Sequence, residues 1–435
     1  MSKILENEQE NANPDNNSKT QELESDSKST TLQLVFHESE DPTLKFFYRP
    51  HTISTLIAIL LGFVYVAIYT DDSNVELNTK WALVAICCVF VVFGIILFRD
   101  GPFIRPHPAF WRAILALNVL YMLALTYLLF QNKNDARQMM TFMDPDLGVE
   151  LPERSYAEHC ELTPTNLWNG IDIFVLAHSV GWFAKALILR DNVMCWILSI
   201  SFEVMEYSLQ HQLPNFAECW WDHWILDVFT CNWLGIYTGM KFCEYFKMKT
   251  YSWHGIRQIP SLTGKFKRAG AQLTPHSWTT YNWAPTKSFK NFFGFFVVIV
   301  MVTITELNVF YLKYFLWIPP EHPIIAIRLN LFFLFALPAG REYYEYYSNP
   351  TCKRLGAHAW MVLAAVMTEV LVIFKFSKGE FPAPFPNKVI AFWSTVLVLL
   401  VGYVLWQFVL TKNGNTDTTE SDAVYNNQKD IKSQE

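Results

Sequence analysis

Charged residues are scarce in this sequence. They make up 17% of its 435 residues, where an ordinary soluble chain carries about 25%, while 51% of the residues are hydrophobic and 16% are aromatic. This apolar content excludes intrinsic disorder for most of the chain. A formal net charge of -6 argues against a basic nucleic-acid-binding protein.

Two other features are missing. None of the eight cysteines stands in a CxxC pair or in another spacing typical of a zinc site. The N-terminal region is polar for about 50 residues, so we expect no cleavable signal peptide before the first apolar run.

The charge that is present is unevenly distributed. Residues 1–41 carry ten acidic and three basic residues, and residues 411–435 carry five acidic and three basic ones. Both segments are too poor in apolar residues to fold alone, so we expect disordered tails. The segment between them, 42–410, has a net charge of +3 and holds nearly all the hydrophobicity. We predict that it forms one membrane-embedded domain.

Apolar stretches in this domain approach the length of about 20 residues that a membrane crossing needs. There are ten of them: 53–70, 81–98, 110–130, 168–189, 192–210, 222–243, 291–312, 323–340, 355–376 and 387–410. We therefore predict an all-α polytopic membrane protein with about ten transmembrane helices.

Lysine and arginine residues predict the orientation of these spans. If the ten spans alternate, the basic loops 99–109, 241–290 and 341–354 share one side with both tails. Basic loops usually remain in the cytosol, so both termini are predicted to be cytosolic. Cys160 and Cys219 then fall in lumenal loops, where a disulfide between them could form.

Polar side chains interrupt the fourth, fifth and sixth spans. A charge at the centre of a bilayer costs about 2.5–3.5 kcal/mol on insertion scales, so a cluster of charges suggests a function. The residues concerned are Asp172, His178, Lys185, Glu203, Glu206, Asn215, Glu218, Asp222, Asp227 and Asn232. The direction of the spans places His178 near mid-depth and the carboxylates between positions 203 and 227 towards the lumen.

Spacing adds detail to this cluster. Glu203 and Glu206 are three residues apart, so their side chains should leave the same face of a helix. Asp222 and Asp227 are five apart, which is about 140° around a regular α-helix. If both face one site, we expect Asp222 to precede the regular part of its helix.

This set of side chains favours a hard cation. Carboxylate and amide oxygens without thiolates suit calcium or magnesium, and an opening towards the lumen favours calcium. The alternative is that the carboxylates are structural and pair with basic residues, of which Lys185 is the one that the interior of these spans offers. Two classes of protein remain, an enzyme that acts on lipid headgroups and a cation channel or transporter.

Several motifs carry a resemblance. The run LPNFAECWWDHWILDVFTCNWLGIYTGM, preceded by AHSVGWFAKALILR and SISFEVME, resembles the phosphatidylserine synthases of the base-exchange type. The segments FRDGPFIRPHPAFWR, TGKFKRAGAQLTPHSW and PAGREYYEYY extend the resemblance, in matching order, over residues 85–380. It implies a calcium-dependent enzyme of the endoplasmic reticulum that needs no nucleotide. Such an enzyme replaces the headgroup of phosphatidylcholine or phosphatidylethanolamine with L-serine.

The resemblance also implies roles for individual residues. We assign His178 and Asp222 as catalytic residues and Glu203, Glu206 and Asp227 as calcium ligands. His178 would either deprotonate the serine hydroxyl or attack phosphorus, and the sequence does not separate these routes. The residues implied to bind substrate are Asn215, Glu218, Asn232 and Arg341.

Members of this family are subject to product feedback. The residues that match or adjoin positions tied to that control are Arg105, Arg268, Gln272, Pro275 and Arg341. Their predicted cytosolic placement is consistent with a second site for a lipid phosphate. The alternative is that they are ordinary topology determinants and lipid-headgroup contacts. The resemblance also makes a homodimer an expectation.

Other classes of protein account less well for the sequence. The string DG-x2-AR-x8-G-x3-D-x3-D, which nucleotide-dependent phosphatidyltransferases show, begins at Asp100 and Gly101 but does not continue. A membrane-bound acyltransferase would not require so many carboxylates, and a cation channel would not require the histidine.

Overall fold

The structure is a computed structural model that describes residues 50–69, 75–151, 157, 160–170, 173–247, 259–272, 280–381 and 384–410. These residues form helices and connecting turns and contain no β-strand. The predicted all-α class is therefore confirmed for the part of the chain that the structure describes.

The α-helices are α1 (Pro50–Tyr69), α2 (Val75–Leu97), α3 (Pro108–Phe130), α4 (Lys133–Met143), α5 (Pro164–Gly170), α6 (Ile173–Leu189), α7 (Asn192–Leu209), α8 (Trp233–Lys247), α9 (Leu262–Gln272), α10 (Phe289–Leu316), α11 (Pro323–Ser348), α12 (Ala357–Phe376) and α13 (Asn387–Leu405). A 3₁₀ turn covers Pro214–Phe216, and π-helices cover Asp222–Asn232 and Trp406–Leu410.

The chain divides into two compact units, Met1–Ala85 and Ile86–Glu435. The described part of the first unit consists of α1 and the beginning of α2. The second unit contains the end of α2 and the remaining helices, so the polar residues of the fourth, fifth and sixth predicted spans all belong to it.

The described residues of each of the ten predicted spans lie almost wholly in helices, but the number of crossings stays a prediction. In the part of the chain that the structure describes, six helices are long and apolar enough to cross a membrane by length and composition, namely α2, α3, α10, α11, α12 and α13 with its π-helical continuation. The helices α1 and α6 contain shorter apolar runs, Ile53–Val66 and Val175–Leu189. The orientation of the termini likewise stays a prediction.

One local expectation is wrong. The eighth span was expected to end near residue 340, but α11 continues to Ser348, so Arg341 lies in a helix and not in a loop. Asp222 was expected to precede the regular part of its helix, and it does, because it begins the π-helix Asp222–Asn232, which continues directly into the regular helix α8.

A tight hairpin joins α6 to α7. Arg190 adopts a left-handed backbone conformation with φ of 53°, and its Nε donates a hydrogen bond of 3.1 Å to the carbonyl of Leu187. Asp191 then caps α7, because its Oδ1 accepts a hydrogen bond from the Met194 amide at 2.8 Å. His178 and Glu203 lie equally far along the chain from this turn. An antiparallel hairpin therefore places them side by side at its other end.

Two glycines bring α8 close to α6. Gly235 and Gly239 stand four residues apart on one face of α8, the small-residue spacing that allows helices to approach in membranes. A Cβ atom at Gly239 would lie 2.6 Å from the Cβ of Ala186 on α6, and one at Gly235 would lie 2.7 Å from the Cβ of Trp182. The two helices therefore touch through their backbones.

A buried ion pair joins four other helices. Glu369 on α12 is fully buried and pairs with Arg328 on α11. The same carboxylate accepts hydrogen bonds from Tyr121 on α3 and, at 2.9 Å, from Asn308 Nδ2 on α10. Because an unpaired carboxylate in an apolar environment is costly, this network fixes how the four helices pack.

We predict that Gly239→Ala destabilises the protein and that Gly181→Ala does not. The new methyl group at position 239 collides with Ala186, and overpacking of this kind costs about 1–3 kcal/mol. Nothing lies within 4 Å of a Cβ atom at Gly181, so the same exchange on α6 is the matched control. Thermal unfolding of the two purified variants in detergent measures the difference, and equal melting temperatures would contradict the close approach.

Candidate functional site

Polar side chains from α6, α7 and the π-helix converge at the open end of the α6–α7 hairpin. His178 Nδ1 on α6 donates a hydrogen bond of 2.7 Å to Asp227 Oδ1 on the π-helix. The Asp227 carboxylate is buried, whereas 47% of the His178 side chain is exposed. Because Nδ1 is engaged, Nε2 is the nitrogen of His178 that is left for a substrate.

A second histidine lies at the centre of the carboxylates. His223 is fully buried, and its Nδ1 lies 2.9 Å from Glu203 Oε2, 3.4 Å from Glu206 Oε2 and 4.0 Å from Glu218 Oε2. The contacts of Glu203 and Glu206 with one atom confirm that their side chains leave the same face of α7. Glu203, Glu206, Glu218 and Asp227 together form the carboxylate cluster.

Sequence reasoning missed His223, although a signal was present. His223 stands four residues before Asp227, so in a helix the two side chains lie on the same side.

The π-helix explains how the two aspartates share one element. Its hydrogen bonds run from residue i to residue i+5, so a turn holds more residues than an α-helical turn and positions five apart lie closer together around the axis. Asp222 and Asp227 have this spacing. The angle of about 140° that a regular α-helix would impose does not apply here. Asp222 is half-buried and lies within electrostatic range of Glu218.

The two asparagines take different positions. Asn232, at the end of the π-helix, is buried and donates a hydrogen bond of 2.9 Å from Nδ2 to Ser199 Oγ on α7. Asn215 is half-buried in the 3₁₀ turn Pro214–Phe216. Among the described residues, no hydrogen bond joins either asparagine to the carboxylate cluster, but Asn232 lies on the π-helix that also carries Asp227.

Negative charge accumulates in the site without a basic residue to balance it fully. Burial, together with the negative charges of Glu206 and Asp227, raises the pKa of Glu218 to about 9. Lys185, the one candidate for a structural partner, instead forms an ion pair of 3.2 Å with Glu306 on α10. The structural alternative for the cluster therefore loses its main cation.

The cluster can hold a cation. Glu203, His223 and Asp227 each offer a ligand atom within 4.8 Å of the others, and so do Glu206, Glu218 and His223. Four carboxylates offer up to eight oxygen atoms, which matches the preference of calcium for six to eight oxygen ligands. Imidazole is not a usual calcium ligand, so His223 fits better as a hydrogen-bond partner that orients the carboxylates.

The residues tied to regulation lie on other elements. Arg341 on α11 pairs with Glu345 at 3.4 Å and is within electrostatic range of Arg190, at the far end of α6. Arg190 and His178 are twelve residues apart, about 18 Å along a helix, so the structure does not bring Arg341 into the cluster. Its assignment as a substrate-binding residue stays a prediction.

The remaining regulatory residues are only partly placed. Arg268 and Gln272 lie on α9, and Arg105 is half-buried, with its carbonyl accepting a hydrogen bond of 2.6 Å from the Trp111 indole. Pro275 lies outside the described residues, as does Asp172.

Cys160 and Cys219 form a disulfide, so the bond that the sequence left open is present. Its Cα atoms are 5.1 Å apart. Cys219 directly follows Glu218 of the carboxylate cluster.

Comparison with known proteins decides the family. The family described as "Phosphatidyl serine synthase" matches residues 106–377, which include the whole carboxylate cluster and His178. The chain belongs to the phosphatidylserine synthase family. Its first 105 residues and its last 58 lie outside the matched region.

Curated relatives of this family come from animals and plants. The chain is 42% identical to "Phosphatidylserine synthase 2" of Danio rerio over 85% of its length and 84% of that protein. It is also 42% identical to "Phosphatidylserine synthase 2" of Homo sapiens, over 85% of the chain and 78% of the relative. An Oryza sativa relative named "CDP-diacylglycerol--serine O-phosphatidyltransferase 2" is again 42% identical, over 85% of the chain and 90% of the relative. The resemblance to phosphatidylserine synthases is thereby confirmed.

We predict that His223→Gln lowers the rate of phosphatidylserine formation by about 10–100-fold, the usual effect of losing a residue that orients ligands. The matched control is His211→Gln. His211 is half-buried, and its ring packs against Phe385 with 4.8 Å between ring centroids. Initial rates in membranes with equal amounts of each variant measure the effect. A rate within twofold of the control would show that His223 does not organise the site.

Proposed function

We propose that this protein makes phosphatidylserine by calcium-dependent base exchange. It replaces the choline or ethanolamine headgroup of a membrane phospholipid with L-serine. The observation that carries the proposal is the hydrogen bond between His178 and Asp227, set beside three further carboxylates that converge on one point. A histidine oriented by a carboxylate suits proton transfer, and the other carboxylates suit a divalent cation.

His178 acts as the general base in this proposal. Asp227 accepts a hydrogen bond from Nδ1–H, so the Nε2 lone pair can take the proton from the serine hydroxyl. The serine oxygen forms a new bond to phosphorus while the bond to the choline or ethanolamine oxygen breaks. The imidazolium then gives its proton to the departing alcohol. The buried Asp227 carboxylate stabilises the imidazolium between these steps.

The carboxylates have a separate role. Glu203, Glu206, Glu218 and the second oxygen of Asp227 would hold calcium, and His223 would keep the glutamates oriented. Bound calcium would neutralise the charge that grows on the phosphoryl oxygens during displacement. Asp222, Asn215 and Asn232 are left to contact the polar part of serine or of the departing alcohol.

The names of the plant relatives point to a second route. They describe transfer from CDP-diacylglycerol to serine. In this chain, Asp100 of the incomplete nucleotide-type string forms an ion pair of 3.3 Å with Arg112, and the remaining residues of that string are missing. Base exchange is therefore the better-supported route.

The side of the membrane follows from two arguments. The distribution of lysine and arginine favours cytosolic tails, and the disulfide between Cys160 and Cys219 favours an oxidising compartment for both loops. We place the site at the lumenal face of the endoplasmic reticulum membrane. Product feedback through Arg105, Arg268, Gln272, Pro275 and Arg341, and a homodimer, rest on the family resemblance.

The route is tested with purified protein in liposomes of phosphatidylcholine or phosphatidylethanolamine. With calcium, radiolabelled serine and no cytidine nucleotide, we expect labelled phosphatidylserine and an equal amount of free choline or ethanolamine. A requirement for added CDP-diacylglycerol, with release of CMP, would establish the alternative route.

Loss of His178 tests the catalytic assignment. We expect His178→Ala to lower serine incorporation by about 10²–10⁴-fold, the range typical of general acid–base catalysis. Acid quenching of the wild-type protein with labelled phospholipid and no serine separates the two roles. A lipid-labelled protein would indicate that His178 attacks phosphorus, whereas an unlabelled protein supports the general base.

Removal of the cation tests the calcium assignment. We expect a chelator to abolish serine incorporation and calcium, but not magnesium, to restore it. We expect Glu203→Gln to shift the calcium dependence to higher concentrations, because one ligand loses its charge. Chelator-resistant synthesis would show that the calcium assignment is wrong.

A further inference from the structure

The disulfide lies at the entrance to the π-helix. The carbonyl of Cys219 accepts hydrogen bonds from the amides of Asp222 at 2.9 Å and His223 at 3.3 Å. These are the first bonds of the helical segment that carries His223, Asp227 and Asn232. Cys219, together with buried Trp221 and Leu226, also forms a small apolar cluster against which Cys160 packs.

The other side of the disulfide is also held in place. The Glu161 carbonyl, next to Cys160, accepts hydrogen bonds from the Thr163 amide at 2.9 Å and from Asn166 Nδ2 at 2.8 Å. Thr163 Oγ1 in turn accepts a hydrogen bond from the Asn166 amide and so caps α5. Cys160 is therefore attached to a segment that is held in place by hydrogen bonds.

Glu218 lies in a short segment that is held at both ends, by Phe216 before it and by the π-helix after it. Before it, Phe216 is buried against Phe310 of α10, with 4.8 Å between ring centroids. After it, the π-helix begins at Asp222. Glu218 is the member of the carboxylate cluster that does not lie on a helix, so the regular backbone that fixes Glu203, Glu206 and Asp227 does not fix it.

We infer that the Cys160–Cys219 disulfide is a positioning device that holds Glu218 and the start of the π-helix in the cation site. This inference rests on the proposed function, because it assumes that the carboxylate cluster binds calcium. Breaking the disulfide leaves all four carboxylates in the protein, but Glu218 becomes free to move. Calcium should then bind more weakly, while the His178–Asp227 pair on the two helices persists.

The test compares wild type with the double variant Cys160→Ser/Cys219→Ser, which breaks the bond without leaving a free thiol at either position. Binding of radioactive calcium to the purified full-length protein is the main readout, because it does not depend on turnover. We expect the dissociation constant to rise about tenfold, the lower end of the effect of losing a residue that orients a ligand. The rate at saturating calcium should stay within about twofold of wild type.

The control removes cysteines that have no part in the site. Cys87 and Cys88 are free and exposed on α2, so Cys87→Ser/Cys88→Ser should leave the calcium affinity unchanged. If the Cys160/Cys219 variant does not accumulate, a mild reductant added to the folded wild-type protein gives the same comparison. The same treatment of the Cys87/Cys88 variant should also weaken calcium binding.

A double-mutant cycle assigns the effect to Glu218. In a Glu218→Gln background, loss of the disulfide should change the calcium affinity little further, because the residue through which it acts is already altered. An unchanged dissociation constant in the disulfide variant, even with a lower melting temperature, would show that the bond only stabilises the fold and would overturn the inference. Wild-type protein that makes phosphatidylserine without binding calcium would instead refute the proposed calcium dependence.

Discussion

The structure depends on holding several like charges close together in an apolar setting. Four carboxylates converge on the region around His223, and repulsion between them opposes this arrangement unless a positive group offsets it. The scaffold holds the carboxylates in place against that repulsion. The carboxylates come from two rigid helices and one anchored turn, and two histidines supply hydrogen bonds to them. The proposed calcium ion would supply the positive charge that the side chains do not provide.

The close approach of α6 and α8 makes this arrangement possible. Gly235 and Gly239 remove side chains from the contact, so the backbone of α8 rests against α6. The π-helix continues directly into α8, and His178 lies near the start of α6. The packing of α8 against α6 therefore also sets the hydrogen bond of 2.7 Å between His178 and Asp227. The fold thus sets the distance between His178 and Asp227 through two glycines that have no reactive side chain.

Much of the fold and part of the site could be predicted from the sequence. Each of the ten apolar runs correctly predicted helical structure, since long hydrophobic segments satisfy their backbone hydrogen bonds most easily as helices. The three-residue spacing of Glu203 and Glu206 correctly predicted a shared face because α7 is regular. Asp222 was correctly expected to precede the regular part of its helix, but no local sequence pattern indicates the π-helix in which it lies. Arg341 was predicted to lie in a loop because its charge ends the apolar run, although α11 continues beyond it. The pairing of Lys185 with Glu306 joins helices far apart in sequence, so spacing could not reveal it.

The disulfide also has a consequence for biosynthesis. It closes a covalent ring across 59 positions, and the ring contains the complete α6–α7 hairpin. Two cysteines on opposite sides of the membrane cannot meet, so the ring closes only after both flanking loops have reached the same compartment. In the proposed orientation both loops face the lumen, and a chain inserted the other way would keep both thiols in a reducing environment, where the bond does not persist. Formation of the ring would then depend on correct insertion of the segment that carries the acidic site.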